Sequence, residues 1–123
     1  MSHPAPKVYL DACVAIYFVE QHPMYFPVLL RRMAVAAPAV APVMVVSELC
    51  RLECRIKPLR ERDAPLLDRF ERFFAIADLQ WAALDRAVFD VATHLRAEHG
   101  LKTPDALHLA AALEPIRDFV CEA

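Results

Sequence analysis

Two short strand-like segments, each followed by a helical pattern, constrain the fold of this chain more than any other feature. Residues 7–10 and 38–46 are rich in β-branched and aromatic residues, although two prolines in the second segment favour a short strand or an edge position. A helical pattern follows over residues 14–20, and another begins at Ser47. Strands that alternate with helices predict an α/β fold in which a mainly parallel sheet carries helices on both faces.

The rest of the chain is predicted to be largely helical. Segments with helical hydrophobic spacing or helix-capping residues begin at Met24, Ser47, Pro65, Trp81 and Thr103. We expect Pro58 to end the helix that Ser47 caps, Gly100 to end the helix before Thr103, and Pro115 to lie beyond the last helix. Residues 75–79 are expected to form a strand or extended link, and residues 118–123 a final strand.

Length and composition indicate one folded domain, which we expect to span residues 1–123. Hydrophobic residues make up 58% of the chain and charged residues 24%, enough to build a core and unlike a disordered chain. Gly100 is the only glycine, which excludes glycine-rich phosphate loops and dinucleotide fingerprints. The net charge of −2 gives no general sign of nucleic-acid binding, so such binding would require a local basic patch.

The N-terminal sequence lacks the basic start and apolar core of a signal peptide, and no apolar run reaches the ~20 residues that span a bilayer. We therefore expect a cytoplasmic protein with no membrane partner. Its four cysteines are then expected to be thiols rather than disulfides. Cys50 and Cys54, one helical turn apart, are expected to be small buried hydrophobes rather than zinc ligands.

Asp11 is the only charged residue between Val8 and Val19, in the run VYLDACVAIYFV. Removing a carboxylate from water without a partner costs several kcal/mol or more, so a partner is expected. Asp11 falls at the carboxyl end of the first predicted strand, which is where α/β sheets bind their ligands.

Further acids follow near element ends: Glu48 and Glu53 on the helix after the second strand, and Asp105 at the start of a helix that is apolar nearly all round. Structural roles are also open to them. Asp105 and Glu48 could stabilise helix N-termini, and Glu53 could pair with Lys57 one turn later.

Convergence of these acids would predict a cation site. Carboxylates that meet in a low-dielectric pocket repel one another unless a cation is present, and oxygen-only sites favour Mg²⁺ or Mn²⁺ over zinc. Such a metal can activate water and stabilise charge on a phosphodiester. His108, three residues after Asp105, is expected to be a core histidine bonded to the backbone rather than a catalytic base.

The segments VYLDACVAIYFV, SELCRLEC and KTPDALHLAAAL resemble those of PIN-domain proteins, and more closely those of VapC-type toxins from VapBC toxin–antitoxin modules. In that family an acid closes the first strand, a glutamate lies in the helix after the second, and a third acid opens a helix reading DALHLA. Asp11, Glu53 and Asp105 match these positions in order.

The resemblance implies a PIN-like three-layer α/β/α sandwich and an Mg²⁺- or Mn²⁺-dependent endoribonuclease. Asp11, Glu53 and Asp105 would be its catalytic and metal-binding residues, with Glu48 as a secondary metal ligand. It also implies a cognate VapB-like antitoxin, which docks a C-terminal segment into the acidic cleft, and a homodimer.

Two positions depart from the family pattern. Ala12 and Cys13 replace the threonine or serine that usually follows the first acid. The family's fourth acid follows a final strand, whereas here Glu122 is the nearest carboxylate and comes about two residues early, so the last strand end and last helix are expected to be missing. A non-catalytic PIN-like module that binds RNA or protein is therefore the alternative.

RNA binding would depend on the segment around Glu53, where Arg51, Arg55 and Lys57 could contact phosphates or could form a solvated helix face. An aspartyl-phosphate enzyme of the haloacid-dehalogenase type is disfavoured, because Cys13 occupies the place of its second aspartate.

Overall fold

The computed structural model describes the backbone of residues 7–36 and 43–122, and the side chains of residues 7–31 and 43–113. Within these ranges the sheet contains the parallel strands β1 (Lys7–Tyr9), β2 (Val43–Val46) and β3 (Gln80–Trp81), in the order β1-β2-β3. The predicted parallel sheet is confirmed.

Helices account for most of the described backbone. They are α1 (Ala12–Glu20), α2 (Tyr25–Ala36), α3 (Glu48–Arg60), α4 (Ala64–Phe74), α5 (Arg86–His99) and α6 (Thr103–Glu122). No helix among the described residues has the length and hydropathy needed to cross a bilayer.

The core lies on both faces of the sheet, because successive residues of a strand point to opposite sides. Leu10, just after β1, belongs to one buried cluster with residues of α1, α3 and α4. Tyr9 packs against a second cluster, which is built mainly from α5 and α6. The predicted three-layer α/β/α class is thereby confirmed.

Helix starts are fixed by side chains that accept a backbone N–H three residues later. The capping residues are Asp11, Ser47, Asp63 and Asp85. Asp11 and Ser47 follow closely on β1 and β2, so α1 and α3 begin at the same edge of the sheet. Gly100 ends α5 with φ of 68°, a conformation that glycine adopts without strain, as predicted.

The prediction that prolines mark the ends of two helices was wrong. Pro58 lies inside α3, which continues to Arg60, and its fully buried ring packs in the core in exchange for one lost helical hydrogen bond. Helix α6 likewise runs through Pro115 to Glu122. The strand predicted over residues 118–123 is therefore wrong over its described part, because a short apolar run does not by itself distinguish strand from helix.

Smaller differences occur around β3. Residues 75–79 form a turn-containing link, and the strand follows at Gln80. Helix α5 begins at Arg86 rather than at Trp81, because Asp85 supplies its N-cap.

Two phenylalanines provide a matched test of the core. Phe70 is 2% exposed in the first cluster, whereas Phe89 on α5 is 50% exposed. We expect Phe70→Ala to lower the free energy of unfolding by about 3–5 kcal/mol, because it leaves a cavity. Phe89→Ala should cost less than about 1 kcal/mol. Urea denaturation measures both, and equal losses would contradict this core.

Candidate functional site

Asp11 has a clear structural role. Its Oδ1 accepts the Val14 N–H at 2.9 Å, so the carboxylate caps α1 while remaining only partly buried. The ionised group in the apolar run thus has a helix N-terminus as one partner. This hydrogen bond involves one carboxylate oxygen.

Asp11 and Asp105 line the same hollow, which has a volume of about 440 Å³. Tyr9 and His108 are among the other residues that line it. Asp105 lies in the first turn of α6 and is exposed. Although its sequence is apolar nearly all round, α6 is not buried on every side, since Leu109 is also 42% exposed on this helix.

Glu53 is not among the residues that line this hollow, but it contacts one of them, His108. Its Oε1 accepts a hydrogen bond from His108 Nε2 at 2.7 Å, and the side chains of Glu53 and His108 are 28% and 8% exposed. The expected partner of His108 was the backbone, and this was wrong. Helix α6 crosses α3 closely enough for the ring to meet a carboxylate instead.

The histidine is the centre of a longer chain of hydrogen bonds. Its Nδ1 lies 2.8 Å from the Tyr9 hydroxyl, which lies 2.9 Å from Ser47 Oγ. Ser47 Oγ in turn accepts the Cys50 N–H at 3.3 Å. Sequence reasoning identified Ser47 only as a helix cap and missed Tyr9, whose one signal was a polar tip within a buried strand.

The acids act on their neighbours through charge. Burial raises the pKa of Tyr9 to about 12, and the negative charges of Asp11 and Glu53 add to this shift. Desolvation also raises the pKa of the Cys13 thiol, followed by the charges of Asp11, Glu53 and Asp105. All three predicted acids therefore affect one thiol at the start of α1.

Other predicted site residues lie elsewhere. Glu48 is 70% exposed and pairs with Arg51 at 3.3 Å, and it lines a separate cavity beside Trp81. Arg51 also approaches Glu71 at 3.9 Å, and Arg55 Nε donates to the Arg51 carbonyl at 3.2 Å. Neither arginine lines the hollow that Asp11 and Asp105 share.

Lys57 is exposed on α3. The Glu122 side chain lies outside the described side chains, so its predicted role as a ligand stays a prediction.

The donor types in the hollow fit a hard cation, because carboxylate oxygens are the ligands that Mg²⁺ and Mn²⁺ prefer. Two such groups line it, and a third, that of Glu53, is hydrogen-bonded to His108 in its lining. Among the described residues, however, no group of three or more histidine, cysteine, aspartate or glutamate side chains is arranged to hold a metal ion. Metal binding by Asp11, Glu53 and Asp105 stays a prediction.

A parallel sheet between two helical layers, with acidic side chains beyond its strand ends, defines the α/β/α class of this domain. Residues 8–115 match the PIN domain model, so the chain belongs to the PIN domain family, whose members are generally nucleases. Comparisons with curated proteins and with solved structures gave no significant match.

The raised pKa of Cys13 predicts slow alkylation of this exposed thiol. Less thiolate is present at a given pH when the pKa is raised, so iodoacetamide should react more slowly than with an unperturbed cysteine. Asp11→Asn removes a negative charge and should increase the rate at pH 8, while asparagine still caps α1. Peptide mapping of Cys13 follows the reaction.

The matched control is Asp90→Asn, which removes an exposed acid from α5 and should leave the rate of Cys13 alkylation unchanged. An Asp11→Asn protein whose Cys13 reacts no faster than the wild type would contradict the electrostatic cause.

Proposed function

We propose that this PIN domain is an endoribonuclease of the VapC type, which hydrolyses RNA phosphodiester bonds with Mg²⁺ or Mn²⁺. The observation that carries the proposal is the hollow shared by Asp11 and Asp105, with Glu53 held beside it by His108. Carboxylates from the start of α1, from α3 and from α6 thus approach one place from distant parts of the chain.

The three acids have separate tasks in this proposal. Asp11 uses Oδ1 to cap α1 and offers Oδ2 as a ligand atom, while Asp105 contributes from the opposite helical layer. Glu53 offers the carboxylate oxygen that does not accept from His108. A bound divalent cation supplies a Lewis acid that offsets the negative charge developing on the phosphodiester.

The RNA backbone is proposed to contact basic side chains of α3. Lys57 is exposed on this helix, about one turn after Glu53. Arg51 and Arg55 already have partners within the protein, so phosphate binding by them requires exchange of those contacts.

Protein partners are also proposed: a VapB-like antitoxin that covers the acidic hollow, and a second copy of the chain in a homodimer, both in the cytoplasm. Support comes from Leu52, Ile56 and Leu59, which are 51%, 43% and 58% exposed. Their spacing places them along one face of α3, and exposed apolar faces of this kind are typical of protein contacts.

A second candidate is a non-catalytic PIN module that binds RNA or protein. It is favoured by the finding that no three potential ligands form a metal-binding group within the described part of the chain. Titration with Mn²⁺ distinguishes the two, since the nuclease requires binding that Asp11→Asn abolishes and the module would not respond.

Replacing either acid of the hollow should abolish cleavage. We expect Asp11→Asn and Asp105→Asn each to reduce RNA hydrolysis in Mg²⁺ or Mn²⁺ on the order of a hundredfold or more, because each removes a charged oxygen donor. Cleavage of a mixed tRNA and rRNA pool measures the rate, with EDTA as the metal-free condition.

Asp90→Asn is the matched control and should retain wild-type activity, and circular dichroism reports folding of each variant. Cleavage that persists in EDTA, or in both hollow variants, would refute the proposed mechanism.

Phosphate contact by Lys57 predicts a change in salt dependence. Lys57→Ala should weaken RNA binding and reduce the slope of log affinity against log salt by about 1, as expected for one lost phosphate contact. The control is Lys7→Ala, because Lys7 begins β1 at the end of the strand away from Asp11. Equal slopes for the wild type and Lys57→Ala would remove this lysine from the RNA site.

A further inference from the structure

We propose that His108 is a positioning residue for Glu53: its ring, held by the Tyr9 hydroxyl that also contacts Ser47 Oγ, takes one oxygen of the Glu53 carboxylate and leaves the other for the cation. This inference rests on the proposed function, since it assigns Glu53 a role as a monodentate ligand. It adds His108, Tyr9 and Ser47, none of which is a proposed metal ligand, to the residues that determine cation affinity.

Geometry and burial support the role. The Glu53–His108 distance of 2.7 Å is at the short end for a hydrogen bond between nitrogen and oxygen, as is usual when the acceptor is charged. The His108 side chain is only 8% exposed, so little water competes for its ring. The contact joins α3 to α6 through two residues that are 55 positions apart in the chain.

The protons can be assigned from the partners. An ionised carboxylate only accepts, so His108 Nε2 carries the proton that it donates to Glu53. In the neutral ring Nδ1 then accepts from the Tyr9 hydroxyl, which accepts from the Ser47 hydroxyl. Ser47 Oγ finally accepts the Cys50 N–H, so every donor from the α3 backbone to Glu53 has an acceptor.

This arrangement separates positioning from catalysis. Both ring nitrogens of His108 have partners in Glu53 and Tyr9, which leaves no lone pair for a proton from the substrate. The ring therefore has a fixed orientation, and its role is to hold Glu53 in place.

Mn²⁺ binding to the whole protein, followed by electron paramagnetic resonance, tests the inference without RNA. We expect His108→Leu to weaken Mn²⁺ affinity by about 10–100-fold, because Glu53 loses its orienting donor. His108→Gln restores a donor at about the position of Nε2 and should bind within a few-fold of the wild type. Tyr9→Phe releases one restraint on the ring and should lose roughly threefold to tenfold.

Two further measurements separate positioning from folding. Tyr17→Phe is the control for loss of a tyrosine hydroxyl, because Tyr17 packs against His22 and Tyr25 instead of His108, and its affinity should equal the wild type. Nitrogen-15 NMR of the metal-free protein should find His108 protonated at Nε2, with the Nδ1 signal shifted in Tyr9→Phe.

The outcomes are distinct from those of the proposed function. A wild-type protein that binds no Mn²⁺ overturns both proposals, whereas wild-type binding with unchanged affinity in His108→Leu overturns only this one. If His108→Leu does not fold, a Tyr9→Phe protein with unchanged Mn²⁺ affinity contradicts the positioning role of His108. A proton on Nδ1 instead of Nε2 in the neutral ring also overturns it.

Discussion

Parallel pairing of β1 with β2 is the constraint on which the rest of the structure depends. The Leu10 N–H donates to the Val45 carbonyl at 2.9 Å, so both strands end at the same level of the sheet. Asp11 and Ser47 therefore lie next to each other beyond the strand ends, and each caps a helix. Glu53 then lies between one and two turns into α3, near the end of β1. A register shift of one residue would turn Tyr9 to the opposite face and separate it from His108.

Buried polar groups stabilise this arrangement only as a complete set. Tyr9, Ser47 and His108 lie between the sheet and its helices, where an unpaired hydroxyl or imidazole costs about 1–3 kcal/mol. Within residues 7–31 and 43–113, no buried side-chain nitrogen or oxygen lacks a hydrogen-bond partner. The polar chain thus favours one packing of α6 on α3 over other apolar contacts of similar area.

Local signals in the sequence were sufficient for the parallel sheet, for the capping role of Ser47 and for the end of α5 at Gly100, because each depends on neighbouring residues. The prolines failed as helix ends because burial of Pro58 and continuation of α6 depend on the surrounding structure. The His108–Glu53 contact could not be predicted either. It is set by the crossing of two helices far apart in the chain, and the spacing from Asp105 to His108 gave only the face of one helix.

The division of the core into two clusters has a consequence for dynamics. Asp105 and His108 belong to the layer of α5 and α6, whose buried residues pack mainly with each other, while Asp11 and Glu53 begin from the opposite layer. Partial opening of the α5–α6 layer would disperse the acids while the aromatic cluster around Phe70 stays folded. Such sub-global opening requires less free energy than complete unfolding. The assembled state of the hollow would then have a shorter lifetime than the domain that contains it.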